Sequence, residues 1–178
     1  VAINRVAGKL QEQQGETHNN GLETWLKSKN INVENSFVLD ATCASIGVQQ
    51  QQGFFQFTSQ VQFPYIPIVN KFSKNAITTG LEHVMLEFAS PVTYTGDSSA
   101  RFTPILMSSE RSATQTPPLY FDIQKRWSQN DFPLAEIPMG GLLEGNIGGS
   151  AQTKMVVIGD GDFAINGDPR QPRKQNPD

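Results

Sequence analysis

The feature that most constrains this chain is the apolar run Met155-Val156-Val157-Ile158, cut off by Gly159-Asp160-Gly161-Asp162. Its β-branched residues favour extended backbone. The absence of polar alternation means that neither face of the strand can stand in water. A run of this kind reads as a strand covered on both faces, as in parallel sheets. The strand expected over Lys154–Gly159 therefore belongs at the middle of a sheet, with helices over it. Two amphipathic helices are predicted. In Gly21–Lys29, Leu22, Trp25 and Leu26 share a face at i, i+3 and i+4 spacing. In Ala76–Leu86, Ile77, Leu81, Val84 and Met85 form the apolar stripe. Further strands are expected to end at Asp40 and to run from Phe102 into a serine-rich loop. These elements imply an α/β fold, a three-layer sandwich with a mostly parallel central sheet.

A chain of 178 residues favours one domain, and such a domain buries roughly 70% of its unfolded surface. The domain is expected over residues 1–166, with 167–178 as a flexible tail. The densest basic group, Arg170, Arg173 and Lys174, falls in that proline-rich tail. With a net charge of −3 and no other basic cluster, nucleic acid is not an expected partner. The single cysteine, Cys43, makes an internal disulfide impossible, and no apolar run is long enough to span a bilayer. The tract Gln49–Gln52 reads as an exposed loop. Phe63-Pro64-Tyr65-Ile66-Pro67 reads as a surface or edge segment, because proline cannot donate to a central ladder.

Several segments, in order, carry a resemblance. They are Val38-Leu39-Asp40-Ala41-Thr42-Cys43, Phe63-Pro64-Tyr65-Ile66-Pro67, Val84 to Ser90, Pro104 to Ser112, and Lys154 to Asn166 with its closing Val-Ile-Gly-Asp-Gly-Asp-Phe. This set is similar to the soluble region of the GldG-like family of gliding-motility and ABC-type transport auxiliary proteins. The resemblance covers about residues 20–166. It implies a flavodoxin-like or class I glutamine-amidotransferase-like sandwich, on the extracytoplasmic (periplasmic) face of the inner membrane. It also implies a longer protein, anchored by flanking membrane helices, that works beside an ABC permease and ATPase. The resemblance assigns no catalytic residue, and no cofactor is expected.

Candidate sites follow from residue type and position. Asp160 and Asp162 lie past a buried strand, where open α/β sheets bind ligands, and two carboxylates there could hold Mg²⁺ or Ca²⁺. The competing reading is structural: the glycines permit a tight turn and Asp162 caps a short helix. Asp40, Ser108 and Ser109 end other strands and are candidate ligand contacts. Cys43 could be a nucleophile with His83, as in a cysteine-dependent hydrolase or amidotransferase. The nucleophile elbow, however, wants glycine where Ala41 and Ser45 stand. The glycines from Gly140 to Gly149 lack the Gly-Lys-Ser/Thr of a phosphate loop. Trp25, Trp127 and Tyr65 could stack on a glycan. Phe54, Phe55, Phe63 and Tyr65 form the candidate partner surface. The reading favoured by the whole set is a non-catalytic auxiliary domain that binds a partner or ligand.

Overall fold

The computed structural model describes residues 1–52 and 55–164. Phe54 and the tail at 167–178 lie outside them. In chain order the elements are β1 (Val6–Lys9), β2 (Gln14–Thr17), α1 (Leu22–Lys27), β3 (Ile31–Val33), β4 (Phe37–Asp40), β5 (Cys43–Gln52), β6 (Phe55–Val69), β7 (Val84–Met85), β8 (Val92–Tyr94), β9 (Ala100–Met107), β10 (Ser112–Gln115), β11 (Leu119–Tyr120), β12 (Pro138–Asn146) and β13 (Gln152–Ile158). A 3₁₀ turn, Gln129–Asp131, precedes β12.

This arrangement overturns the three-layer α/β expectation. Every pairing between these strands is antiparallel, in five small sheets ordered β1-β2-β11, β4-β10, β9-β12-β13, β3-β8 and β5-β6-β7. The parallel contact present is an isolated bridge between Ala2 and Ile158. The apolar run does lie in a strand, but β13 forms a hairpin with β12, Gly140 opposite Ile158 and Asn146 opposite Gln152. Its second edge is stitched by the N-terminal segment, where Ile3 N–H donates to the Ile158 carbonyl at 3.0 Å. Cover on both faces is present without helices. Val157 enters one hydrophobic cluster, with Ile3, Leu26, Ile31, Val92 and Leu143. Val156 and Ile158 face another, built on Val38, Leu86, Ile105, Leu106 and Met139.

The second predicted helix does not form. Asn75 accepts the Ile77 N–H on its side chain at 3.0 Å, the Thr78 hydroxyl donates to the Ser73 carbonyl at 2.8 Å, and Gly80 takes a left-handed φ of 89°. Side-chain competition for the backbone and a left-handed glycine both end helical propagation. Ile77 is left exposed, and Val84–Met85 pairs with Val69 and Ile68 as β7.

The glutamine tract is likewise no loop but part of β5. Phe63–Val69 is the inner end of the fifteen-residue β6. Its prolines are tolerated because pairing there is sparse: the register runs from Ser45–Gln62 to Cys43–Pro67 across a bulge. Phe63 and Tyr65 turn inward and join Phe37, Phe88 and Phe121 in an aromatic cluster, with Tyr65 and Phe121 centroids 4.7 Å apart and Phe88 stacked on Phe121 at 5.6 Å. Such contacts add about 0.5–1.5 kcal/mol per pair beyond area burial. A Cβ on Gly8 would collide with the Phe88 ring, so this aromatic wall requires glycine there.

Candidate functional site

The acidic turn is built around one buried carboxylate. Asp160 is fully buried and accepts three backbone N–H groups: Glu87 on Oδ2 at 2.7 Å, Asp162 on Oδ1 at 2.8 Å and Phe163 on Oδ1 at 3.1 Å. It is therefore Asp160, and not Asp162, that caps the following turn. Asp162 accepts the Asn4 side-chain amide at 2.8 Å, while Asn4 Oδ1 accepts the Gly161 N–H at 2.6 Å. Burial pushes the Asp160 carboxyl up to about 6 against the pull of its N–H donors. Burial against the wall of this site, with the Asp162 charge beside it, also raises Glu87. An open cleft of about 340 Å³ lies here, lined by Asn4, Gly8, His18, Glu87, Phe88 and Asp162 among others. Among the described residues no group of three or more His, Cys, Asp or Glu is placed to hold a metal ion, so the paired-carboxylate metal reading gains no geometry.

Asp40, Ser108 and Ser109 come together from two strand ends. Asp40 is fully buried; its Oδ1 accepts the Thr42 N–H at 2.7 Å and the Ser109 hydroxyl at 2.6 Å, and its Oδ2 accepts the Ser109 N–H at 2.5 Å. Ser109 Oγ in turn accepts the Arg111 N–H at 3.1 Å, and the Arg111 carbonyl accepts the Ala41 N–H at 2.9 Å. Ser108, also buried, accepts the Ile137 N–H at 2.8 Å. The carboxylate is spent on holding the loop 108–112 against the end of β4.

That knot presents Arg111 to a second cleft, of about 230 Å³, lined by Ala41, Cys43, Gln62, Pro64, Arg111, Trp127, Ser128, Gln129 and Phe132. Among the described residues no histidine lines it. Burial pushes the Cys43 thiol up to about 11, helped by the Asp40 charge. A nucleophilic cysteine needs a lowered pKa and a base in reach. Cys43 has the opposite shift, which disfavours the Cys43–His83 alternative. Trp127 packs edge-on to Tyr65 at 6.1 Å and tilted against Phe132 at 5.6 Å. Trp25 is on α1, in another part of the molecule, and Tyr65 is buried, so the three aromatics of the glycan alternative do not share a surface.

The sequence model of the family described as ABC-type uncharacterized transport system matches residues 1–176. The chain belongs to that family. Its name marks an auxiliary component of an ABC-type transport system, which agrees with the resemblance read from the sequence at that level. No curated protein and no solved structure matches the chain significantly. Among the described residues no helix of this auxiliary chain is long and apolar enough to cross a membrane.

The auxiliary chain also extends a two-stranded ribbon. From Ala41 to Asn70 the sequence holds no charged residue. Register puts Ile46 opposite Val61, Val48 opposite Ser59 and Gln50 opposite Phe57. Opposed side chains share a face and alternate along a strand. One face therefore carries Ile46, Val48, Phe55, Phe57 and Val61, with Gln50 and Ser59 between them. The other carries Ser45, Gln49, Gln51, Gln56, Thr58, Gln60 and Gln62. Ile46 packs on the aromatic core, while Phe57 is 45% and Phe55 79% exposed. Among the described residues β5 has no neighbour on its outer edge. Of the candidate partner surface, Phe55 is on this ribbon, whereas Phe63 and Tyr65 are core. Phe57 falls within the Phe54–Tyr65 segment expected to form a partner surface, but its neighbourhood gave no sign of a hairpin register.

Proposed function

We propose that this chain is a non-catalytic, extracytoplasmic auxiliary domain of GldG-like type, and that its ribbon docks on a subunit of the ABC transporter it serves. The observation that carries the reading is the uncharged, amphipathic ribbon with Phe55 and Phe57 at its outer part. Natural edge strands are guarded by lysine, proline or inward charge. The ribbon has no such guard over Cys43–Gln62. An unguarded edge beside an apolar stripe suits a partner that offers an uncharged strand edge and an apolar face, joined by β-augmentation. Membership of an ABC-type transport family supports an occupant from the same transport system, and the extracytoplasmic placement proposed here favours its permease subunit. The raised thiol pKa of Cys43 and the absence of a histidine from its cleft support a role without turnover.

Co-expression of the full-length protein with its permease subunit tests the docking. Phe55→Asp with Phe57→Asp is expected to leave the circular dichroism and thermal midpoint of the domain unchanged and to abolish co-purification in mild detergent. Undiminished co-purification of that double variant would refute the ribbon as the contact. Placement is read separately, by labelling engineered Gln60→Cys in whole cells with a membrane-impermeant maleimide; a residue that labels only after lysis contradicts the extracytoplasmic assignment.

A further inference from the structure

We infer that the cleft between Arg111 and Trp127 is a binding site for a small carboxylic acid, its carboxylate paired with Arg111 and its apolar body seated against Trp127, Phe132 and Pro64. The inference stands apart from the ribbon and its partner.

The lining divides into two kinds of chemistry. Ala41, Pro64, Trp127 and Phe132 supply an apolar floor, and Gln62, Ser128 and Gln129 supply uncharged hydrogen-bonding groups. Arg111 supplies the charge. Two ion pairs stand nearby. Lys125 binds Asp131 at 2.6 Å and stands 4.0 Å from the Trp127 ring centroid. Asp131 is held down to about 2 by that lysine and by Ser128, so it stays ionised and neutralises Lys125. Glu110, next to Arg111 in sequence, is paired with Lys71 at 2.7 Å. Asp40 is buried and does not line the cleft; neutral donors from Ser109 and Thr42 hold its carboxylate. Arg111 makes no ion pair among the described residues. Among the described residues, Arg111 is the one charged residue that lines the cleft.

The backbone of Arg111 is fixed on both sides of the peptide, by Ser109 Oγ on its N–H and Ala41 N–H on its carbonyl. A guanidinium on an anchored stem loses less entropy on pairing and offers the planar fork that carboxylates accept bidentately. At about 230 Å³ the cleft falls below the usual range for drug-sized ligands. It suits an acid of roughly eight heavy atoms, given about 30 Å³ per displaced water. A flat acid with an aromatic or aliphatic body satisfies the guanidinium and the floor together.

Benzoate is the probe, with benzamide as its uncharged isostere, each titrated into the ¹⁵N-labelled protein at low ionic strength. Benzoate is expected to shift the Trp127 indole N–H and the Cys43 and Gln129 amides saturably, with the Trp25 indole unmoved. Benzamide is expected to bind at least tenfold more weakly. Arg111→Gln is expected to remove the benzoate response, and Arg111→Lys to weaken it while keeping the preference over benzamide. Arg111 is exposed, and its backbone bonds survive either change. The inference fails if benzoate produces no localised, saturable shift, if benzamide matches it, or if Arg111→Gln binds as the parent does.

Discussion

Asp160 is fully buried, and burial outweighs the three N–H groups that its carboxylate accepts. Its pKa rises from an ordinary 3.8 to about 6. The folded state thus binds the proton more tightly than the unfolded chain. The contribution to stability is complete below about pH 4 and is lost as pH climbs through 6, on the order of 2–3 kcal/mol at most. Asp160→Asn removes the titration but places an amide NH₂ where Oδ2 accepted the Glu87 N–H. Urea denaturation at pH 4.5 and pH 7 is expected to show the variant about 1–2 kcal/mol less stable at the lower pH, from the orphaned donor. The gap should narrow or reverse at pH 7. A difference independent of pH would show that Asp160 is ionised throughout. The sequence singled out this aspartate for its position after an expected parallel strand, whereas what holds it is the Glu87 amide, seventy-three residues away. Asp40 and Ser109 were legible as strand-end polar residues, but their mutual bond was not, since pairing between β4 and β10 leaves no local signature. Arg111 and Trp127 gave no sign of sharing a cleft for the same reason.

Among the elements, the ribbon of β5 and β6 differs from every other strand pair in how little it is covered. Two-stranded ribbons are marginal in water unless a third strand or a packed face supports them. Here the inner end is supported by the aromatic cluster and the outer end is held by its ladder alone. Amide hydrogen exchange is therefore expected to be graded along one pair of strands. Val48 and Thr58 should exchange at least tenfold faster than Leu142 and Val157 in the β12–β13 hairpin. Partner binding by strand addition should slow the ribbon amides selectively. Equal protection in the free protein would mean that the ribbon is already covered, for instance by self-association. The elements were unevenly readable. Helix α1 and the strands ending at Asp40 and Ile158 followed from periodicity. The second helix did not form, because Asn75 and Gly80 outweigh a four-residue stripe whose Val84 and Met85 suit a strand equally well. A glutamine run has no hydrophobic period to read, so β5 could be found only through its partner strand.

At the scale of the molecule, the mistaken topology came from a sound physical premise. An apolar run does need cover on both faces, but helices are one way to supply it and a second and third β layer are another. The structure takes the latter course by letting single strands serve two clusters. In β4, Phe37 and Leu39 enter the aromatic cluster while Val38 enters the cluster of Leu86, Ile105 and Met139. In β13, Ile158 enters that same second cluster while Val157 enters the third, with Leu26 of α1. No cluster can melt without unseating a strand that another requires, so residues 1–164 should unfold as one cooperative unit despite their five small sheets. The two tryptophans test this in a single sample. Trp127 packs on the aromatic cluster, and Trp25 stands on α1 beside the third. Their indole N–H resonances, followed through a urea titration, are expected to lose native intensity with midpoints that agree within about 0.2 M, given slopes of about 1–3 kcal/mol per molar. If the Trp25 signal were lost first, β13 would be a boundary between two folding units, and the alternation of Val157 and Ile158 would be packing without energetic coupling.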